Sequence, residues 1–306
     1  MSERIGLVLS GGGAKGAYEI GVYKALSAIG ATRFIDVIAG TSVGALNAVL
    51  LESRGAEYSE NVWHNLKLSD MLNLDVKRIA KNPLLVDYNS PDYVGIKPDN
   101  VFDSIVLKSM GLISFMKKEN PLTDFLKHGL PVNQDKISEI IDKNVDFNNI
   151  YRKIYVTCSD SYGDIKYFHL NHYRNELKKK IILASSALPV IYTGVAGGIE
   201  INGEYYSDGG IKNESNTPVP FIYDNGCRSI IAVHLKYDAD ITNQYRMKDA
   251  DIINIIPSRD LGDFVSGTLN LNPLKVKSDI ELGYNDTINK TREIYAMINK
   301  VKLKSI

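Results

Sequence analysis

Ser42 stands in the run Gly40-Thr41-Ser42-Val43-Gly44, a G-x-S-x-G string. A serine hydroxyl becomes a useful nucleophile when a tight turn presents it and a nearby base takes its proton. The apolar run Ile35 to Ala39 precedes the string and the apolar run Ala45 to Leu51 follows it. That order reads as strand, sharp turn, helix, a nucleophile elbow with the positive end of the helix directed at the serine. Small residues at Gly40 and Gly44 let such a turn close.

A second candidate lies upstream, in Ser10-Gly11-Gly12-Gly13-Ala14-Lys15-Gly16. It follows a short apolar run, Arg4 to Leu9, and precedes an amphipathic stretch that stops at Gly30. Strand, glycine turn, helix is an anion-binding arrangement, because the first N–H groups of the helix have no internal partner. Two chemistries fit: a phosphate loop, or an oxyanion hole for acyl transfer. Gly11, Gly13 and Gly16 satisfy the dinucleotide pattern G-x-G-x-x-G. Asp36, at the right separation for a ribose contact, begins a strand where such an acid should end one. Lys15 is followed by Gly16-Ala17, so the Walker pattern fails. A serine elbow about thirty residues downstream favours the oxyanion reading, with both turns at the carboxyl edge of one sheet.

The serine needs a base. The five histidines are His64, His128, His169, His172 and His234. Of these, only His234, at the end of an apolar run, resembles a catalytic histidine in its placement, and none lies in a glycine-marked loop late in the chain. Asp208 offers another solution. It ends the second arm of a hairpin about Asn202-Gly203 and is followed by Gly209-Gly210, so a tight loop would present its carboxylate. A solvated aspartate is a weak base, but burial raises its pKa toward a useful range.

The elements that must position these groups follow from the apolar runs. Strands are expected at Phe34 to Ala39, Lys153 to Ser159, Ile165 to Leu170, Ser229 to His234 and Asp251 to Ile256, besides the first run and the hairpin. Helices are expected at Glu176 to Ser186, Thr217 to Asn225 and Asp279 to Met297. The stretch from about Glu57 to Asn144 is less regular. Candidate helices there are Glu60 to Leu66, Val101 to Met110, Leu122 to His128 and Asp135 to Val145, separated by Pro- and Asn-containing turns. It reads as a helical insertion, in which Met110, Leu112, Ile113, Phe115 and Met116 would cover an acyl pocket, touch lipid or pack a small subdomain. One domain spanning 1–306 is expected, with a core over about 4–234, the insertion over about 57–144 and a C-terminal extension over about 250–306.

Composition excludes several classes. The chain of 306 residues has 36 basic and 36 acidic side chains and a net charge of +0, with no sign of a nucleic-acid binder. Cys158 and Cys227 are the only cysteines, too few for a disulfide framework or a metal cluster, which fits a reducing, cytoplasmic setting. No secretory signal and no membrane-spanning stretch is legible, so contact with lipid would be peripheral.

Four motifs in order then carry a resemblance. Gly11-Gly12-Gly13-Ala14-Lys15-Gly16, Gly40 to Gly44, Ala184-Ser185-Ser186-Ala187-Leu188-Pro189 and Asp208-Gly209-Gly210 resemble the patatin-like phospholipase family, bacterial type, similar in catalytic arrangement to cytosolic phospholipase A2. The resemblance covers Arg4 to about His234, with a looser match over the insertion. It implies a three-layer α/β/α sandwich with a central, mostly parallel sheet. It also implies lipid acyl hydrolysis through a Ser42–Asp208 dyad and an acyl-enzyme. Gly11, Gly12 and Gly13 would form the oxyanion hole, and Lys15 would lie beside it. The implied substrates are phospholipids or lysophospholipids, with no cofactor and no metal, calcium being used in some relatives through an additional domain. An acyltransferase, a thioesterase or a catalytically silent lipid-binding protein would share the same motifs.

Overall fold

The computed structural model describes residues 5–67, 73–74, 132–133, 135–187, 198–211 and 213–303. The expected helices Val101 to Met110 and Leu122 to His128, the apolar cluster Met110 to Met116, and Pro189 lie outside the described residues.

A central sheet is built from β1 (Ile5–Leu9), β2 (Ile35–Thr41), β5 (Lys153–Asp160), β6 (Ile165–His169), β7 (Ile199–Ile201), β8 (Glu204–Asp208), β9 (Ser229–Val233) and β10 (Asp251–Ile255). Two-residue strands β3 (Asn73–Leu74) and β4 (Val132–Asn133) form a separate antiparallel pair. The order in the main sheet is β10-β9-β1-β2-β5-β8-β7, with β6 also on β5. The strands β10, β9, β1, β2 and β5 are mutually parallel, while β6 and β8 run antiparallel to β5.

Alternating side chains of these strands bury both faces, as parallel strands require. Leu7, Leu9, Ile38, Ile231 and Val233 join the larger core cluster, and Val8, Ala39, Ile230 and Ala232 join a smaller one on the other side. The larger face packs on α1 (Ala17–Ala28), α2 (Val43–Arg54), α3 (Ala56–Asn65), α4 (Asp135–Asn144) and α5 (Asn175–Ser185). The four-residue α6 (Asn213–Asn216) precedes α7 (Val219–Asp224), which covers the smaller face through Val219 and Ile222. The result is the mostly parallel sheet between helices that the family resemblance implies. Among the described residues no helix is long and apolar enough to cross a membrane.

The C-terminal region differs from expectation. The helix expected from Asp279 to Met297 is two helices, α8 (Pro273–Asn289) and α9 (Thr291–Leu303). The start signal was Asn272-Pro273: the Asn272 side chain accepts a hydrogen bond from the Leu274 N–H at 2.9 Å, and Pro273 takes the first helical position. The α2 helix also begins earlier than expected, directly after Ser42.

Strand connections leave β1 in opposite directions. The chain passes through α1 to β2 on one side, and β9 pairs with the other side of β1. Ligands of open α/β sheets bind beyond the carboxyl ends of the strands at such a switch point. The glycine loop follows β1 at that edge and the serine turn follows the neighbouring β2.

Candidate active site

Ser42 is the N-cap of α2 and has φ 55°, ψ −123°, a left-handed conformation unusual for a residue with a side chain. This is the strained strand-to-helix elbow that the G-x-S-x-G string predicts. The turn closes because both flanking glycines are needed. A Cβ on Gly40 would sit 2.5 Å from the Gly44 carbonyl oxygen, and one on Gly44 would sit 2.5 Å from the Leu9 carbonyl oxygen.

The sheet register brings Asp208 to this turn. β6 pairs with β5 over Tyr155 to Ser159, so β2 and β8 must share the opposite edge of β5. There Thr41 lies opposite Thr157, and Asp208 lies opposite the next residue, Cys158. The ends of β2 and β8 therefore meet, and Ser42, one residue past Thr41, comes beside Asp208. Both side chains are buried, Ser42 at 7% exposure and Asp208 at 1%.

Burial pushes the Asp208 carboxyl up to about 6. The Ser42 hydroxyl and the Gly210 N–H pull it back by favouring the charged form. The Gly210 N–H donates to Oδ1 at 2.7 Å, while Oδ2 is buried with no completed hydrogen bond among the described residues. The carboxylate is thus fixed by one oxygen and left with proton-accepting capacity on the other. Contacts between nucleophile and base that are loose in a resting site tighten around substrate.

The expected glycine donors narrow. The Gly11 N–H is committed to the Asn216 carbonyl at 3.1 Å. Those of Gly12 and Gly13 donate no hydrogen bond among the described residues. A Cβ on Gly11 would lie 3.2 Å from the Ser42 Cβ, so the loop packs directly on the serine. Val43, the first residue of α2, adds a further N–H beside the nucleophile. Lys15 is buried beside Gly12, and desolvation, then Lys236 and Lys275, hold its pKa down.

Sequence reasoning missed what ties these parts together. The Ser185 hydroxyl accepts from the Ser42 N–H at 2.9 Å and donates to the Thr157 carbonyl at 2.7 Å. Two residues on, the Ala187 carbonyl accepts from the Asp208 N–H at 3.0 Å. The small-residue segment after α5 therefore holds both members of the pair. Asn216 holds the glycine loop: besides its carbonyl bond, its side chain donates to the Gly11 carbonyl at 3.2 Å. Thr41 donates to the Ser215 carbonyl at 2.8 Å, anchoring the same turn to β2. The signal for Ser185 was its place in a small-residue helix end; Asn216 had none beyond its closeness to Asp208.

Among the described residues, no histidine is part of this arrangement. The His234 ring is buried against Asn254, its Nε2 2.8 Å from Oδ1, and burial holds its pKa down. His169 stacks on Tyr155, and His64 faces Glu60. No described histidine hydrogen-bonds to Ser42 or Asp208. His128 lies outside the described residues. Among the described residues no group of His, Cys, Asp and Glu could hold a metal ion.

The chain is similar to several known proteins. A family model described as patatin-like phospholipase matches residues 7–221. A segment of 46 residues is 54% identical to the lysophospholipase nte1 of Aspergillus terreus, covering 15% of this chain and 3% of that protein. Among solved structures, VipD from Legionella pneumophila is 14% identical with a TM-score of 0.48, over 95% of this chain and 67% of that one. Human GIVD cytosolic phospholipase A2 is 11% identical with a TM-score of 0.48, over 99% of this chain and 60% of that one. The family match takes in more than half of the chain, from β1 to α7, and by it the protein belongs to the patatin-like phospholipases, lipid acyl hydrolases as a family.

Proposed function

We propose that this protein hydrolyses carboxylic esters of phospholipids or lysophospholipids through Ser42 and Asp208, by way of an acyl-enzyme. The observation that supports this reading is that Thr41 and Asp208 face consecutive residues, Thr157 and Cys158, along one edge of β5, which sets Ser42, one residue past Thr41, beside Asp208. Asp208 takes the hydroxyl proton as the Ser42 Oγ attacks the ester carbonyl. The oxyanion is held by the N–H groups of Gly12 and Gly13, with that of Val43 adjacent, each well-placed donor contributing about 3 kcal/mol in the transition state. Asp208 returns the proton to the departing alcohol. It then accepts a proton from water as that water attacks the acyl-enzyme carbonyl, and passes the proton to Ser42 Oγ as the C–Oγ bond breaks, which frees the fatty acid and restores the serine hydroxyl. A small apolar pocket beside α2 is lined by Val43, Leu46, Leu50, Val62, Ile137 and Ile141. The substrate is met by peripheral contact with a lipid surface.

The test is hydrolysis of a lipid panel with free fatty acid detected. Ser42→Ala should remove activity and labelling by a fluorophosphonate while leaving the thermal transition in place. Retained activity in that variant would overturn the reading. Acyl transfer to a second acceptor would appear as a new ester in place of free fatty acid.

A further inference from the structure

A polar cleft of about 660 Å³ opens next to the glycine loop, with Leu235 and Asn216 in its lining. It lies beyond the carboxyl end of β9, at the switch point beside β1, and His234, Lys236, Asp238 and Arg246 line it. Its boundary with the serine site is thin. Asn216 and Thr217 line the cleft, and the same Asn216 brackets Gly11 by its carbonyl and its side chain. Thr217 shares a 2.7 Å hydrogen bond with Ser10, the residue that opens the loop. Leu235 also packs against Gly12.

The lining has the chemistry of a dipolar ligand. Lys236 and Arg246 are exposed cations with no ion pair among the described residues. Asp238 and Asp240 are exposed carboxylates on the same cleft, and Asp240 accepts from the Thr242 N–H at 2.9 Å. Lys236 is close enough to Lys15 to disfavour its charge. The His234 ring forms a fixed wall, held by Asn254, whose amide pairs reciprocally with Gln244 at 2.9 Å. A pure anion would meet two uncompensated carboxylates here, and a pure cation two uncompensated bases. A head group carrying a phosphate and an amine satisfies both.

We infer that this cleft is a head-group subsite for zwitterionic glycerophospholipids, the phosphate at Lys236 and Arg246 and the amine at Asp238. The inference rests on the lipid-ester reading above, but its test does not require turnover. The probe is sn-glycero-3-phosphocholine, which carries the head group and no scissile ester, titrated calorimetrically into the whole chain. Binding is expected to the wild-type protein and equally to Ser42→Ala. It should weaken at least tenfold in the double variant Lys236→Glu, Arg246→Glu and several-fold in Asp238→Asn, with unchanged thermal transitions. Glycerol should not bind, and inorganic phosphate should bind more weakly than the probe. No binding by the wild-type protein, or binding indifferent to the three substitutions, overturns the subsite. Inorganic phosphate binding as tightly as the probe overturns the head-group assignment in favour of a simple anion site. Loss of ester hydrolysis in Ser42→Ala is read separately, so the two proposals fail independently.

Discussion

Asp208 owes its basicity to burial: removal from water lifts its carboxyl to about 6, and no neighbouring negative charge is needed. As the proposed base, Asp208 must be ionised to act. kcat/KM should therefore fall about tenfold per pH unit below an inflection near pH 6 and level off above it. A pH–rate profile on a soluble ester checks this, and Asp208→Asn should lower kcat/KM by on the order of 10⁴-fold. Glu19 is the other buried carboxyl of note, pushed up to about 8 by complete burial beneath the glycine loop. Its Oε2 accepts from the Asn47 Nδ2 at 2.8 Å and its Oε1 has no partner among the described residues. A raised folded-state pKa means the native protein binds the extra proton. The associated stability is fully present below the unfolded value of 4.5 and is lost as pH rises through about 8. Between pH 5 and 8 the unfolding free energy should decline more steeply in the wild-type protein than in Glu19→Gln, by about 1.4 kcal/mol per pH unit. Denaturant titrations across that range measure the difference. Neither carboxyl advertises its burial in the sequence: Asp208 reads equally well as a turn residue, and Glu19 as a solvated position on an amphipathic helix.

At the scale of elements, the segment that ends α5 holds the backbone of Ser42, the proposed nucleophile, through the Ser185 hydroxyl. Ser185→Ala leaves the Ser42 N–H without its acceptor, in a site where an unsatisfied buried donor costs about 1–3 kcal/mol. The expected outcome is a kcat roughly tenfold lower with KM little changed, recovered in part by Ser185→Thr, which keeps the hydroxyl. A rise in KM alone would assign Ser185 to substrate binding instead. The hairpin about Asn202-Gly203 is legible from the dipeptide itself, because φ values of 54° and 88° are what asparagine followed by glycine accommodates. Its direction is not. That β8 runs antiparallel to β5, and ends where β2 ends, is a property of pairing between distant strands.

For the whole molecule, the C-terminal helices lie beyond the family match yet pack on the core that carries the serine turn. The α1 and α8 helices cross at two glycines: a Cβ on Gly21 would strike the Ile280 carbonyl, and one on Gly283 the Tyr18 carbonyl. Backbone meets backbone there, so a neighbour cannot yield cheaply. Asp279, fully buried on α8, holds Arg259 and Lys275 and so fastens the helix to the loop after β10. Gly283→Ala should lower stability by about 3 kcal/mol, seen as a drop in Tm, because it forces apart the helix that carries the glycine loop. An unchanged Tm would mean that α8 is not integral to the core.

Local chemistry in the sequence determined the turns, the strand and helix periods and the elbow, because glycine placement and apolar spacing act over a few residues. It therefore points to Ser42 as a candidate nucleophile and to the glycine loop as a candidate anion site. Tertiary structure alone decided that Asp208 lies beside Ser42, that Asn216 takes the Gly11 N–H from the expected donors, and that a polar cleft backs the loop. Those relations depend on strand order and register, which set distances between residues far apart in the chain and which no short-range pattern encodes.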